Sequence, residues 1–174
     1  MTPWDSILRQ HAGIVWQTAL RLLGNQPDAA DCFQETFLSA MQSASTAPIR
    51  NWAGFLQRVA TARALDMLRR RALARRRHDS GHDVADVAGS NPGPARQLQN
   101  DELADSLACA LAQLPERHAQ AYCLRHLNDF SYEQIAAELG ISVDAVGVDL
   151  HRARQRLREL LRPQFAGQPD RGAP

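Results

Sequence analysis

The sequence predicts an all-α protein made of two small helical domains that a flexible linker joins, with a helix-turn-helix at the end of the second domain. Apolar residues recur at intervals of three and four along most of the 174 positions, which is typical of amphipathic helices. Residues 78–100 are instead rich in Gly, Pro, Ser and Asp and contain few large apolar side chains, as linkers do. We therefore expect domains at residues 1–77 and 101–163, followed by a tail at residues 164–174.

Three helices are predicted in the first domain. The first should run from Trp4 to Leu23 and stop at Gly24-Asn25, and the second should start at Gln26-Pro27-Asp28, because Pro is tolerated in a first turn. The second helix should end near Ser43, where a segment containing Pro48 reads as a loop. The third helix starts at Trp52 and runs into the sequence RRRALARRR, residues 69–77. Six arginines in nine positions repel one another unless an anion is near, so this run indicates nucleic acid more than a merely solvated face.

The second domain should hold four helices, of which the last two form the helix-turn-helix. Ser131 and Gln134 have the spacing of a capping box, Gly140 suits a left-handed helix end, and Ser142 is placed to cap the final helix. One apolar stripe is predicted along that final helix: Val146, Leu150, Ala153, Leu157 and Leu160. Most of its basic residues fall off the stripe, and a helix of this kind suits DNA phosphates: His151, Arg152, Arg154, Arg156 and Arg158.

The composition argues against several other classes of protein. No apolar run reaches the length of a membrane span and no signal-peptide pattern follows Met1, so we expect a cytoplasmic protein without membrane contact of its own. Cys32, Cys109 and Cys123 form no CxxC pair and are expected to be buried, reduced thiols. Neither the His and Asp residues of the linker nor the group His118, Cys123 and His126 completes a metal-ligand set. No nucleophile-base pair or phosphate loop is present, so we expect neither an enzyme nor a bound cofactor.

Two motifs resemble the extracytoplasmic-function sigma factors of the sigma-70 class. DAADCFQETFLSA, residues 28–40, resembles the polymerase-binding helix of that family. The segment LPERHAQAYCLRHLNDFSYEQIAAELGISVDAV and the following LHRARQRLRELL, within residues 114–161, resemble its promoter-binding domain. The resemblance implies a detachable subunit of RNA polymerase whose first domain docks on the core enzyme and opens the −10 element, and whose second domain reads the −35 element. It also implies an anti-sigma factor that holds the protein inactive.

The resemblance assigns roles to three sets of residues. It implies polymerase docking by an acidic face of the second helix: Asp28, Asp31, Gln34 and Glu35. It implies −10 recognition by aromatic and basic residues of the third helix: Trp52, Phe55, Arg58, Arg63, Arg69, Arg70 and Arg71. It implies −35 recognition by the last helix: Ser142, Val143, Asp144, Ala145, Val148, His151, Arg152 and Arg154.

Four positions depart from the family pattern. Thr61-Ala62 stands where the family commonly has Arg-Asn, which predicts a reduced polar surface on the third helix. Gly147 and Asp149 stand where many members have Lys and Arg. A carboxylate that faces a phosphate is repelled by about 1 kcal/mol in water at ~4 Å, so Asp149→Arg is expected to strengthen DNA binding.

Two alternative functions stay open, and the first of them follows from these departures. One is a divergent sigma-like interaction protein that binds polymerase or an anti-sigma partner and reads promoters weakly. The other is a helix-turn-helix repressor that binds duplex DNA alone, although the sequence shows no sensor or dimerisation segment.

Overall fold

The computed structural model describes residues 3–79 and 95–165, and within these ranges the chain forms seven α-helices and no strand. The helices are α1 Trp4–Leu23, α2 Gln26–Thr46, α3 Trp52–Asp79, α4 Ala95–Ala112, α5 Glu116–His126, α6 Tyr132–Leu139 and α7 Val143–Phe165. The predicted all-α class, with three helices followed by four, is confirmed. None of these helices is long and apolar enough to cross a bilayer.

Local sequence signals account for most of the helix ends. Gly24 and Gly140 adopt left-handed backbone angles, with φ of 72° and 66°, and end α1 and α6. The N–H of Gln134 donates to Ser131 Oγ at 3.2 Å while Ser131 N–H donates to Gln134 Oε1 at 2.8 Å, which confirms the predicted capping box. Ser142 Oγ accepts from the N–H of Ala145 at 3.2 Å and caps α7 as predicted.

Three helix boundaries differ from the prediction, the first being that of α3, which continues to Asp79 and makes residues 78 and 79 of the expected linker helical. Helix α2 continues to Thr46, although a loop was expected from residue 44. It ends just before Pro48, because a proline disfavours helical backbone angles in the residue that precedes it. Helix α4 begins at Ala95, so residues 95–100, which were expected in the linker, are helical. The segment 80–94 and the tail 166–174 lie outside the described residues, and so do His82 and Asp83 of the linker histidine-aspartate group.

The largest apolar core lies between the first half of the chain, α1–α3, and the second half, α4–α7. Leu22, Leu23, Leu65 and Leu68 of α1 and α3 belong to the same buried cluster as residues of α4, α5, α7 and the α4–α5 turn: Ala110, Leu111, Leu114, Ala119, Cys123, Ala153 and Leu157. Smaller clusters fill the interior of each half, one within α1–α3 and one around the helix-turn-helix. The second half therefore packs directly on α3 and shares its core.

Hydrogen bonds accompany this packing at one end of the contact. Arg21 donates to the carbonyl of Leu127 at 2.8 Å, and Asn128 donates to Thr18 Oγ1 at 3.0 Å. These contacts join α1 to the α5–α6 connection across more than a hundred positions of sequence.

Candidate nucleic-acid interface

The predicted docking residues of α2 divide into one internal and three exposed positions. Asp28 is half-buried, forms an ion pair with Arg71 of α3 and accepts from Asn25 Nδ2 at 3.1 Å, so it holds α2 against α3. Asp31, Gln34 and Glu35 remain exposed. Glu35 lies 3.8 Å from Arg63, and both side chains stay largely in solvent, so the pair leaves this face accessible.

Two large apolar side chains extend the same face of α2. Leu38 is 59% exposed and Met41 is 49% exposed, and they follow Asp31 and Gln34 at helical spacing. An exposed apolar pair beside carboxylates is suited to a protein partner that offers both basic and apolar groups.

The aromatic residues at the start of α3 pack edge to face. The ring centroids of Trp4 and Trp52 are 5.4 Å apart, and those of Trp52 and Phe55 are 6.3 Å apart. Both Trp52 and Phe55 are half-buried against the core of α1–α3, and the guanidinium of Arg58 lies 5.0 Å from the Phe55 centroid. Each ring therefore has one side in the core and retains some exposed surface.

A carboxylate from the helix-turn-helix covers part of this surface. Glu138 of α6 forms an ion pair with Arg58 at 3.4 Å and accepts from Asn51 Nδ2 at 3.5 Å. Gly54 lies beneath the contact, and a Cβ atom there would overlap both Asn51 and the Glu138 carboxylate. Glu138 therefore covers Arg58, one of the residues to which the family resemblance assigns −10 recognition.

The arginines farther along α3 differ in their surroundings. Arg70 is exposed, whereas Arg69 is held by Asp66 at 3.2 Å. Arg71 pairs with Asp28 and donates to the carbonyl of Leu23 at 3.2 Å, and its burial lowers the pKa of its guanidinium. Of these three, Arg70 is the most accessible to a nucleic acid.

The expectation of a reduced polar surface at Thr61-Ala62 was wrong for the first of these two positions. Thr61 is fully buried, so position 61 faces the core and its difference from the family pattern changes no exposed surface. It lies next to Ala60 and three residues before Ala64, which are both buried, and this spacing places it on the apolar side of the helix.

The predicted −35 residues lie on the outward side of α7. Val146, Leu150, Ala153 and Leu157 are buried as predicted, and Leu160 is partly buried. Six of the eight candidates are exposed: Ser142, Val143, Asp144, Val148, His151 and Arg152. Ala145 and Arg154 are half-buried. The exposed set forms one surface at the N-terminal half of the helix, where recognition helices meet base edges.

Asp149 does not belong to that surface, and the expectation that it faces DNA was wrong. Its side chain is fully buried and accepts two hydrogen bonds from Arg117 of α5, at 2.6 Å from Nε and 3.0 Å from Nη2. His118 Nε2 lies 3.4 Å from Oδ1 of the same carboxylate. The hydrogen bonds to Asp149 raise the pKa of the Arg117 guanidinium. Asp149 is therefore an internal anchor between α5 and α7.

The remaining histidines and cysteines bring no metal ligands together. Within residues 3–79 and 95–165, no three His, Cys, Asp or Glu side chains lie close enough to hold a metal ion. Cys32 and Cys123 are buried as expected, whereas Cys109 is half-buried and its sulfur lies 3.6 Å from Arg75. Exposed His126 stacks on Tyr122 with ring centroids 4.5 Å apart.

Two sequence-family models match this chain, one in each half. A sequence model of Sigma-70 region 2 matches residues 7–73, and a model of Sigma-70 region 4 matches residues 104–157. The chain is 30% identical to the RNA polymerase sigma factor CarQ of Myxococcus xanthus over 91% of its length and 88% of that protein. It is 32% identical to the ECF RNA polymerase sigma factor SigL of Mycobacterium tuberculosis over 87% of its length and 85% of that protein. The chain belongs to the ECF sigma factors.

Two further known proteins are similar to this chain. This sigma factor is 37% identical to the ECF RNA polymerase sigma factor SigE of Mycolicibacterium smegmatis over 92% of its own length, and it spans 62% of that longer relative. The sigma factor RpoE, solved in complex with the anti-sigma factor NepR from Bartonella quintana, aligns with a TM-score of 0.55 over 93% of this chain and 98% of that chain. At 22% identity, the second likeness shows a shared fold.

Two features of this sigma factor were not predicted from its sequence. Asp149 lies three residues after Val146 and four before Ala153, so the spacing of the apolar stripe itself places it inward. The contact between Glu138 and Arg58 had no such signal, because it joins residues 80 positions apart.

Proposed function

We propose that this chain is a sigma factor that binds core RNA polymerase in the cytoplasm and directs initiation at specific promoters. The observation that supports this most strongly is the presence of two separate surfaces on one chain. One is the exposed acidic and apolar face of α2, and the other is the exposed N-terminal half of α7. A repressor that binds DNA alone needs only the second surface.

The two surfaces have different proposed binding roles. Asp31, Gln34 and Glu35 dock on the polymerase, and Leu38 and Met41 add apolar contact beside them. The aromatic and basic residues at the start of α3 hold the opened −10 strand, since unstacked bases rest on aromatic rings and arginines follow the backbone. Helix α7 enters the major groove of the −35 element. All of these roles are binding roles, and none requires a catalytic group.

An anti-sigma factor is the proposed regulator. Support comes from the fold shared with a sigma factor that was solved in complex with an anti-sigma factor. The proposed domains are residues 1–77 and 101–163, joined by residues 78–100, with α4 beginning at Ala95 inside that join.

The docking role is tested by reversing charge on α2. Asp31→Arg should weaken binding to core polymerase at least tenfold, because it places a cation against a basic partner, and Asp31→Arg with Glu35→Arg should abolish co-purification. Asp5→Arg makes the same charge change at an exposed position of α1 and serves as the matched control. Unchanged co-purification of the double variant would refute the docking surface.

Initiation itself is tested by transcription in vitro with core polymerase and a library of genomic promoter fragments. Transcripts that depend on this chain are expected. Polymerase binding without any dependent transcript would instead favour the sigma-like interaction protein.

A further inference from the structure

The exposed half of α7 offers an unusual set of side chains to DNA. Asp144 and Val148 lie four residues apart, so they share one side of the helix, opposite the buried stripe of Val146 and Leu150. Val148 is 48% exposed in the middle of this side.

No long hydrogen-bond donor projects from the first two turns of α7. Gly147 has no side chain, although a Cβ atom there would meet nothing closer than Tyr132 at 3.9 Å. Asp149 is turned inward to Arg117. The first exposed donors in α7 are His151 and Arg152. Base edges that need a long donor, such as the acceptor pair of guanine, therefore find no partner in the first two turns of α7.

The chemistry of these two side chains favours pyrimidines. An ionised aspartate only accepts hydrogen bonds, and in the major groove it pairs with the N4 amino group of cytosine. Valine makes no hydrogen bond, and the base feature that it suits is the C5 methyl group of thymine. Both features belong to pyrimidines.

The spacing of the two side chains fits neighbouring bases on one strand. Four residues of helix rise about 6 Å and successive bases on a strand are about 3.4 Å apart, so a helix that lies along the major groove brings the two side chains within about two base steps of each other.

We propose that α7 selects a pyrimidine tract on one strand of the −35 element, with Asp144 reading a cytosine and Val148 reading a thymine within about two steps of it. His151 and Arg152 then contact phosphates or a flanking base. This inference rests on the proposed function and adds the chemical class of the DNA that the site selects.

The test uses the full chain bound to core polymerase. A promoter library randomised over the −35 element is selected for binding to this holoenzyme, and the selected sequences should contain cytosine and thymine within about two steps on one strand. The selected thymine is then replaced by uracil, which removes only the methyl group. Loss of one buried methyl contact should weaken promoter binding about fourfold.

Matched variants separate base reading from general weakening. Val148→Ala should bind the thymine and uracil promoters equally, and uracil placed outside the element should have no effect on the unmodified protein. Asp144→Asn should shift the selected base from cytosine towards adenine, which asparagine pairs at N6 and N7. Thermal melting of each variant confirms that the fold is intact.

Two results would overturn the inference, and they differ from failure of the proposed function. Equal binding of thymine and uracil promoters by the unmodified protein would exclude the methyl contact. Selected elements without a pyrimidine tract would exclude the readout altogether. In both cases initiation would still occur, whereas a holoenzyme that initiates at no promoter would remove the proposed function and this inference together.

Discussion

Asp149→Arg is the substitution that best distinguishes an inward from an outward position at the centre of α7. The sequence alone suggested that it would improve DNA binding, since an arginine would replace a carboxylate near phosphates. The structure predicts damage to the fold instead. Asp149 is 0% exposed, and an arginine there would lose both hydrogen bonds from Arg117 and confront that guanidinium with a second cation.

The expected loss of stability follows from the burial of the new charge. An uncompensated charge at a buried ion-pair position costs about 3–5 kcal/mol. For a chain of this size, 1 kcal/mol shifts Tm by roughly 2–4 °C, so the variant should melt about 6–20 °C lower. Arg117 is itself 54% exposed and can turn to water, so Asp149→Asn should have a much smaller effect.

Thermal unfolding followed by circular dichroism measures these differences. Asp144→Arg makes the same charge change at an exposed position of the same helix and should lower the free energy of unfolding by only about 1 kcal/mol, because Asp144 lies in the first turn, where the helix dipole favours a negative charge. If Asp149→Arg melts with the unmodified protein and binds promoter DNA more tightly, Asp149 faces DNA and the internal anchor does not exist.

Three other substitutions or conditions test the packing of the two halves and their cores. Glu138→Gln should loosen the contact with Arg58 and increase the small population in which the halves separate by about fivefold at most, measured as faster hydrogen exchange of the core amides of α3 and α5; unchanged exchange would show that the contact contributes nothing. Gly54→Ala should act in the same direction, because its Cβ would displace the Glu138 carboxylate, and additivity with Glu138→Gln would contradict this shared cause. Burial raises the pKa of Cys32 to about 11 and that of Cys123 to about 12, from an ordinary value of 9.0. The thiols of the unfolded chain therefore ionise at lower pH than those of the folded chain. The free energy of unfolding should be at its full value below about pH 9 and should decrease as the pH rises towards the folded pKa values. Denaturant titrations at several pH values measure this decrease, which should be smaller for a variant with both thiols replaced by Ala.

Local signals predicted the helices well because each depends on nearby residues. The end of α1 at Gly24, the caps at Ser131 and Ser142, and the turn at Gly140 all depend on backbone groups within four positions. The start of α4 was missed because residues 95–100 resemble the linker in composition, while their helix continues into the periodic segment that follows.

The direction of individual side chains was harder to predict than the helices. Comparison with the family pattern suggested that positions 61 and 149 are exposed, yet both are fully buried. In each case the helical spacing from neighbouring buried residues would have predicted the inward direction of the side chain. The partner of Arg58 was beyond prediction, because tertiary packing across 80 positions leaves no periodic trace in the sequence.

The covered state of Arg58 has a consequence for the order in which the two DNA surfaces become available. The outward side of α7 is exposed while the halves are packed, but Arg58 cannot hold Glu138 and a promoter phosphate through the same face of its guanidinium.

A partly exposed ion pair contributes about 0.2–1 kcal/mol, which changes an equilibrium by about fivefold at most. The apolar core shared by α1, α3 and the second half contributes far more, since each fully buried leucine contributes about 1.5–3 kcal/mol. Separation of the halves must therefore be driven by a partner that compensates for the lost core, and the exposed face of α2 is the surface through which polymerase is expected to do so. Adding core polymerase should consequently increase the distance between fluorophores on α2 and α6 far more than Glu138→Gln does, and an equal effect of the two would contradict this reasoning.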